Sequence, residues 1–216
     1  MVADQKRAPW MEVAVAEAKK WAGYFESQRA FLEKKKKAEK KGGATPIGVI
    51  PINYHKEVGV GIKNASLGNT AWCASFANYC LKSANYEYEL SASSRFPVHS
   101  KKFVKIDSPV YGALVVYKNP KEPKKGHVAF VYNKIEKGDI AVLGGNQGDA
   151  ITINGDAAVY DAILHYEKLG YFVPASYLKY AESVLAKGGD LGSPVPINKL
   201  RELLFGRNGG DTLRTE

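Results

Sequence analysis

Thr70-Ala71-Trp72-Cys73-Ala74-Ser75-Phe76-Ala77-Asn78-Tyr79-Cys80-Leu81 is the stretch whose reading decides what this chain builds. Cys73, Phe76, Ala77, Cys80 and Leu81 share one face at helical spacing, and Thr70 is placed to cap the helix start. Cys73 then lies in the first turn, near the positive end of the helix dipole, which favours a thiolate. It points with the apolar stripe toward whatever sheet the helix packs on. Taken alone, a cysteine on such a stripe is a small buried hydrophobe. A histidine base brought to it from elsewhere in the chain would make it a nucleophile.

The sequence after residue 107 offers that base. Three β-like runs, 111–117, 127–132 and 140–143, follow a polar stretch, and a turn-rich segment, 133–139, joins the last two as a hairpin. Folding the hairpin about Glu136 and Lys137 sets His127 opposite Asn146, unless a glycine bulge at Gly138 or Gly144-Gly145 changes the register. Helix-start Cys73, strand-start His127 and Asn146 across the hairpin are therefore the candidate catalytic residues. The Asn146 amide oxygen would accept the imidazole N–H and orient the ring, and the backbone N–H of Cys73 would face the developing oxyanion. Trp72 lines the cleft or packs beneath it, and Gln147 is the other residue expected to touch substrate. Cys80, two turns into the helix, reads as core. His55, His99 and His165 have no partner pattern.

Upstream, Pro9 suits a first helical position, and Trp10, Val13, Ala14, Trp21, Phe25, Phe31 and Leu32 recur at helical spacing. This predicts one long amphipathic helix running into the lysines of 34–41 and stopping at Gly42-Gly43. Residues 44–69 read as a loop. Near the C-terminus, 171–173 reads as a short strand and 175–186 as a helix. A Gly/Pro linker follows from 187, then one short helix at 200–205 and a loose polar end.

The formal charge of +9 over 216 residues implies attraction to polyanions without choosing among nucleic acid, anionic lipid and an acidic cell envelope. The two cysteines, seven residues apart on one helix, would stand about 10 Å apart, too far for a disulfide. Neither metal-ligand spacing nor a phosphate-binding glycine loop is present, so no metal, nucleotide or other cofactor is expected. No signal peptide or membrane span is read, which predicts synthesis in the cytoplasm.

At Trp72-Cys73-Ala74-Ser75-Phe76-Ala77-Asn78 with Leu81, at 111–117, at Gly126-His127-Val128-Ala129-Phe130-Val131 and at Val142-Leu143-Gly144-Gly145-Asn146-Gln147, the chain resembles the CHAP and NlpC-like cysteine hydrolases. These are bacterial and phage enzymes of papain-like fold that cut amide bonds in peptidoglycan. The resemblance spans roughly 8–180 and implies an α+β, papain-like domain at 8–186, with N-terminal helices packed on a central antiparallel β-sheet and 187–216 as an extension. It implies Cys73 as nucleophile, His127 as base and Asn146 as orienting group. Some relatives carry a glutamate two residues before that asparagine; here the position is Gly144.

The layout is also similar to amidase toxins injected into rival bacteria by a type VI secretion system, and to small phage lysins. The toxin reading implies peptidoglycan as substrate, a cognate immunity protein and secretion machinery as partners, and action in the periplasm or wall of a target cell. Nucleic acid is not expected as a partner. The alternatives are a non-catalytic basic module for nucleic acid or an anionic surface, and a papain-like protease or acyltransferase with another substrate.

Overall fold

The computed structural model describes residues 7–41 and 43–212. Gly42, half of the expected stop of the first helix, lies outside the described residues, as do the first six and last four positions. The long N-terminal helix is in fact two, α1 (Trp10–Lys20) and α2 (Gln28–Lys41). Between them Gly23 takes φ +80°, a conformation open to glycine, and turns the chain into a short strand, β1 (Tyr24–Phe25). β1 pairs in parallel with β2 (Gly48–Val49), inside the segment expected to be loop. That segment also holds α3 (Tyr54–Val58), capped by the Asn53 side chain at one end and by Gly59 in the left-handed region at the other.

α4 (Cys73–Ser83) is the central helix. It packs against the strands Gly126–Lys134 and Ile140–Gln147 of the main sheet on one side and against α1 and α3 on the other. Residues 73–78, Cys80 and Leu81 are all buried, so small side chains such as Ala74, Ser75 and Ala77 serve close approach on faces that a surface helix would leave polar. The expected cap differs. The helix begins at Cys73 directly after Trp72, and the Thr70 hydroxyl donates to Asn69 Oδ1 instead.

α5 (Phe96–His99) and β3 (Phe103–Ile106) follow, in a stretch expected to be polar and irregular. Next come β4 (Leu114–Lys118), β5 (Gly126–Lys134), β6 (Ile140–Gln147), β7 (Ala150–Gly155) and β8 (Glu167–Pro174). They form a six-stranded antiparallel sheet in the order β3-β8-β4-β5-β6-β7. β4 and β5 lie inside it, which is why 114–116 and 128–131 are apolar without alternation. Full burial of Phe76 and Leu81 of α4 and of Leu114, Phe130 and Leu143 of the sheet in one common core contributes about 1.5–3 kcal/mol per side chain. The architecture is α+β, compatible with a papain-like arrangement.

α6 (Leu178–Leu185) and α7 (Ile197–Thr212) close the chain. The segment between them is tied down, because the Asp190 carboxylate accepts from the Tyr111 N–H at 2.8 Å and pairs with Arg7 at 3.0 Å. α7 buries Leu200, Leu204 and Phe205 and lies against β7 and α1, so the extension is part of the folded unit.

Candidate active site

Strand pairing places His127 directly across from Tyr117 of β4. Phe130 and Val131 of β5 face Leu143 and Val142 of β6, and continuing that ladder would bring His127 to Asn146. A bulge intervenes. The β6–β7 register slips between Gly144 and Gln147, and Asn146 sits within the slip at φ +59°.

One extra residue reverses the alternation of faces, and the side chain bonded to the imidazole is Gln147: His127 Nε2 lies 3.3 Å from Gln147 Oε1. The expected partner, Asn146, stands instead in the wall of the cleft. A Cβ added at Gly144 would lie 3.4 Å from both Cδ and Oε1 of Gln147, so the Gln147 amide abuts the place where a residue-144 side chain would begin.

The Gln147 amide has only one workable orientation. Its Nε2 donates to Thr152 O at 2.6 Å and to Val142 O at 3.4 Å, leaving Oε1 as acceptor for His127 and for the Tyr160 hydroxyl. His127 therefore carries its proton on Nε2. Nδ1 keeps the lone pair that a general base needs.

Cys73, at the first turn of α4, is 2% exposed, and the backbone N–H of Val128, the residue after His127, favours its charged form. Burial pushes the thiol up to about 11, against which this N–H and those of Cys73 and Ala74 work in the lowering direction. Burial also drives the imidazole of His127 down to about 4, partly offset by the bond to Gln147. Thiol and imidazole are both neutral near pH 7.

Trp72 packs beneath the site and does not line it. It is fully buried, stacked on Tyr54 at 5.6 Å, and its indole N–H donates to Glu26 Oε2 at 2.8 Å. Gly145 makes room for it, since a Cβ there would stand 2.3 Å from the Trp72 ring. His55, which offers no sequence pattern, braces the same region: its Nδ1 meets Ser75 Oγ at 2.8 Å and its Nε2 the Thr70 carbonyl at 3.3 Å, clipping the approach loop to the first turn of α4. A histidine twenty residues upstream of a helical serine gives no signal in a single sequence.

A cleft of about 310 Å³ opens onto this region, walled by His127, Asn146, Gln147, Asn154, Tyr160 and Leu164 among others. Cys73 is not in its lining. Tyr160 comes from a π-helical turn, Asp156–Asp161, that follows β7. Among the described residues, no group of three or more metal-ligating side chains comes together, and no helix is long and apolar enough to cross a membrane.

Residues 65–146 match the family model of the CHAP domain. That segment holds α4 with Cys73, β5 with His127 and most of β6, and the match supports a CHAP-type peptidoglycan hydrolase family with amidase or peptidase activity. Neither the curated proteins nor the solved structures contain a match to this chain.

Proposed function

We propose that this protein is a cysteine-dependent hydrolase that cleaves amide bonds of bacterial peptidoglycan, in the stem peptide or at its junction with the glycan. The observation that supports it is the packing of α4, which begins with Cys73, on β5, which carries His127: the backbone N–H of Val128, next to His127, acts on the Cys73 thiol in the lowering direction, and His127 opens onto the cleft. Cys73 is the nucleophile, His127 the general base and acid, and Gln147 the residue that orients the ring.

In the first half-reaction the Cys73 thiol proton passes to His127 Nδ1 while the sulfur attacks the amide carbonyl carbon. The carbonyl oxygen gains negative charge near the backbone N–H groups that begin α4. The imidazolium then returns its proton to the amine as the C–N bond breaks, leaving a thioester. A water deprotonated by His127 attacks the thioester and releases a carboxylic acid, regenerating the thiol.

Delivery by a secretion system, as an antibacterial toxin restrained in the producing cell by an immunity protein, is the biological setting we favour, with action in the target's periplasm or wall. The reading rests on the compact layout and the sequence resemblance. A second reading, a non-catalytic basic module, is favoured by α2, whose lysines at 35, 36, 37, 40 and 41 are all exposed.

Digestion of purified sacculi followed by mass spectrometry of the products tests the enzyme. Wild-type protein releases fragments whose masses name the bond, and Cys73→Ala releases none while keeping its circular-dichroism spectrum. Equal release by the variant rejects cysteine catalysis. Tight, salt-sensitive polyanion binding with no release by either protein selects the second reading.

A further inference from the structure

We infer that Tyr160 is a positioning residue of this site: its ring clamps the face of the His127 imidazole, and its hydroxyl shares Gln147 Oε1 with His127 Nε2, so that the orientation and tautomer of the base are set from outside the matched segment. The inference rests on the hydrolase reading for its catalytic meaning, but the geometry stands by itself.

Tyr160 is 3% exposed, with its ring 5.0 Å from the His127 ring and 15° from parallel. It also stacks on Tyr117, the cross-strand neighbour of His127, at 4.2 Å and 16°, and Tyr117 itself lies 6.3 Å from the imidazole, so the three rings meet one another in a cluster. The Tyr160 hydroxyl donates to Gln147 Oε1 and is reached by the side-chain amide of Asn154. Asn154 Oδ1 in turn accepts from Arg201 of α7 at 3.3 Å, and the same guanidinium donates to the Ile153 carbonyl at 3.1 Å. A chain of hydrogen bonds thus runs from the C-terminal helix through Asn154, Tyr160 and Gln147 to the base.

The turn that carries Tyr160 is held at its start by Asp156, which accepts from the Tyr117 hydroxyl at 2.7 Å and pairs with Lys168. These contacts come from β4, β7, β8 and α7, none of which the sequence signal of the Cys73 helix and His127 strand includes, apart from β4.

The titratable groups on the imidazole are Tyr117 from β4 and Tyr160 from the turn; Cys73 from α4, Asp156 and Tyr166 act on Tyr160, and Lys168 pairs with Asp156. In Tyr160→Phe the stack survives, but Gln147 Oε1 loses a competing donor and serves His127 alone. The hydrogen bond to the protonated ring strengthens, which moves the His127 titration upward. Tyr160→Ala also admits water to the ring face and moves it further, because burial is the larger cause of its lowered value.

The test is a side-chain NMR titration of His127, assigned by its absence in His127→Gln, together with the pH dependence of kcat/KM on a muropeptide. We expect Tyr160→Phe to raise the His127 midpoint by about half a unit, with the acid limb of kcat/KM rising in parallel. kcat should fall about tenfold with little change in KM, and more in Tyr160→Ala. Asn154→Ala, which leaves the ring in place, should move the midpoint the same way by less. Folded variants with an unmoved midpoint and an unmoved acid limb would overturn the inference. If wild-type protein cleaves no wall fragment while the midpoint still moves, the positioning of the imidazole is supported and the hydrolase reading alone fails.

Discussion

Acid should unfold this protein through His127. The imidazole is held down at about 4 against an ordinary value of 6.5, chiefly by burial. Between those values the unfolded chain binds a proton that the folded chain refuses, so stability is intact above pH 6.5 and is lost as pH falls toward 4. Going from pH 7 to pH 4.5 costs about 2–3 kcal/mol from this residue alone. That is a large fraction of the 5–15 kcal/mol typical of a domain. Urea titrations at pH 7, 6, 5 and 4.5 of wild type and His127→Gln isolate the effect, because carboxylates and the buried His55, whose value is also lowered, act alike in both proteins. The wild type should lose about 2–3 kcal/mol more than the variant across that range. Parallel curves would falsify the picture of a neutral, solvent-starved imidazole, and a wild type that gains stability on acidification would mean that a thiolate–imidazolium pair is present.

The thiol at about 11, against an ordinary 9.0, should react with iodoacetamide at pH 7 about a hundredfold more slowly than a free cysteine, judged by thiolate fraction alone; labelling at the free-cysteine rate argues against its burial. Gly145→Ala drives a methyl group into the Trp72 ring and the Phe76 Cβ and should destabilise by about 1–3 kcal/mol in urea titration, with an unchanged midpoint refuting the close approach. Replacing Lys35, Lys36, Lys37 and Lys40 by Gln should remove most of the salt-sensitive retention on sacculi without altering cleavage of soluble muropeptides. Retention that is unaffected would assign it elsewhere.

Periodicity made some parts of the fold legible. The face of α4 through Cys73, Phe76, Cys80 and Leu81 was readable because the apolar spacing matches one helix face, and β4 to β6 because runs such as Leu114-Val115-Val116 suit strands buried on both sides. Short elements held by distant partners were not legible. β3 has only four residues and exists by pairing with β8, and β7 alternates Ile151, Thr152, Ile153 and Asn154 beside turn-like glycines at 148 and 155. The break between α1 and α2 hangs on one glycine inside an otherwise helical pattern. At the site, the Cys73 and His127 positions could be read from element starts, whereas the partner of His127 could not. A single slipped residue decides between Asn146 and Gln147, and register slips carry no compositional mark beyond the glycines themselves. Tyr160 and His55 reach the site through tertiary contacts alone.

Magnitudes also decide how the nucleophile works. A helix N-terminus favours a thiolate by about 0.3–1 kcal/mol, up to about 2 when partly buried. Burial raises Cys73 from 9.0 to about 11, which amounts to about 3 kcal/mol in the opposite direction after the favourable N–H groups have acted. Burial therefore outweighs the favourable helix start in this closed site. Moving the proton from a thiol at about 11 to an imidazole at about 4 would cost about 9–10 kcal/mol before the charges attract. Even unit charges as close as about 4 Å would regain only about 4 kcal/mol at an effective dielectric constant of about 20. The neutral pair is the resting state by several kcal/mol. Catalysis then requires the proton to move as the sulfur attacks, or the cleft to admit water and substrate dipoles first. In either case Tyr160, which lies flat on the base and shares its acceptor, is the side chain whose displacement changes the balance.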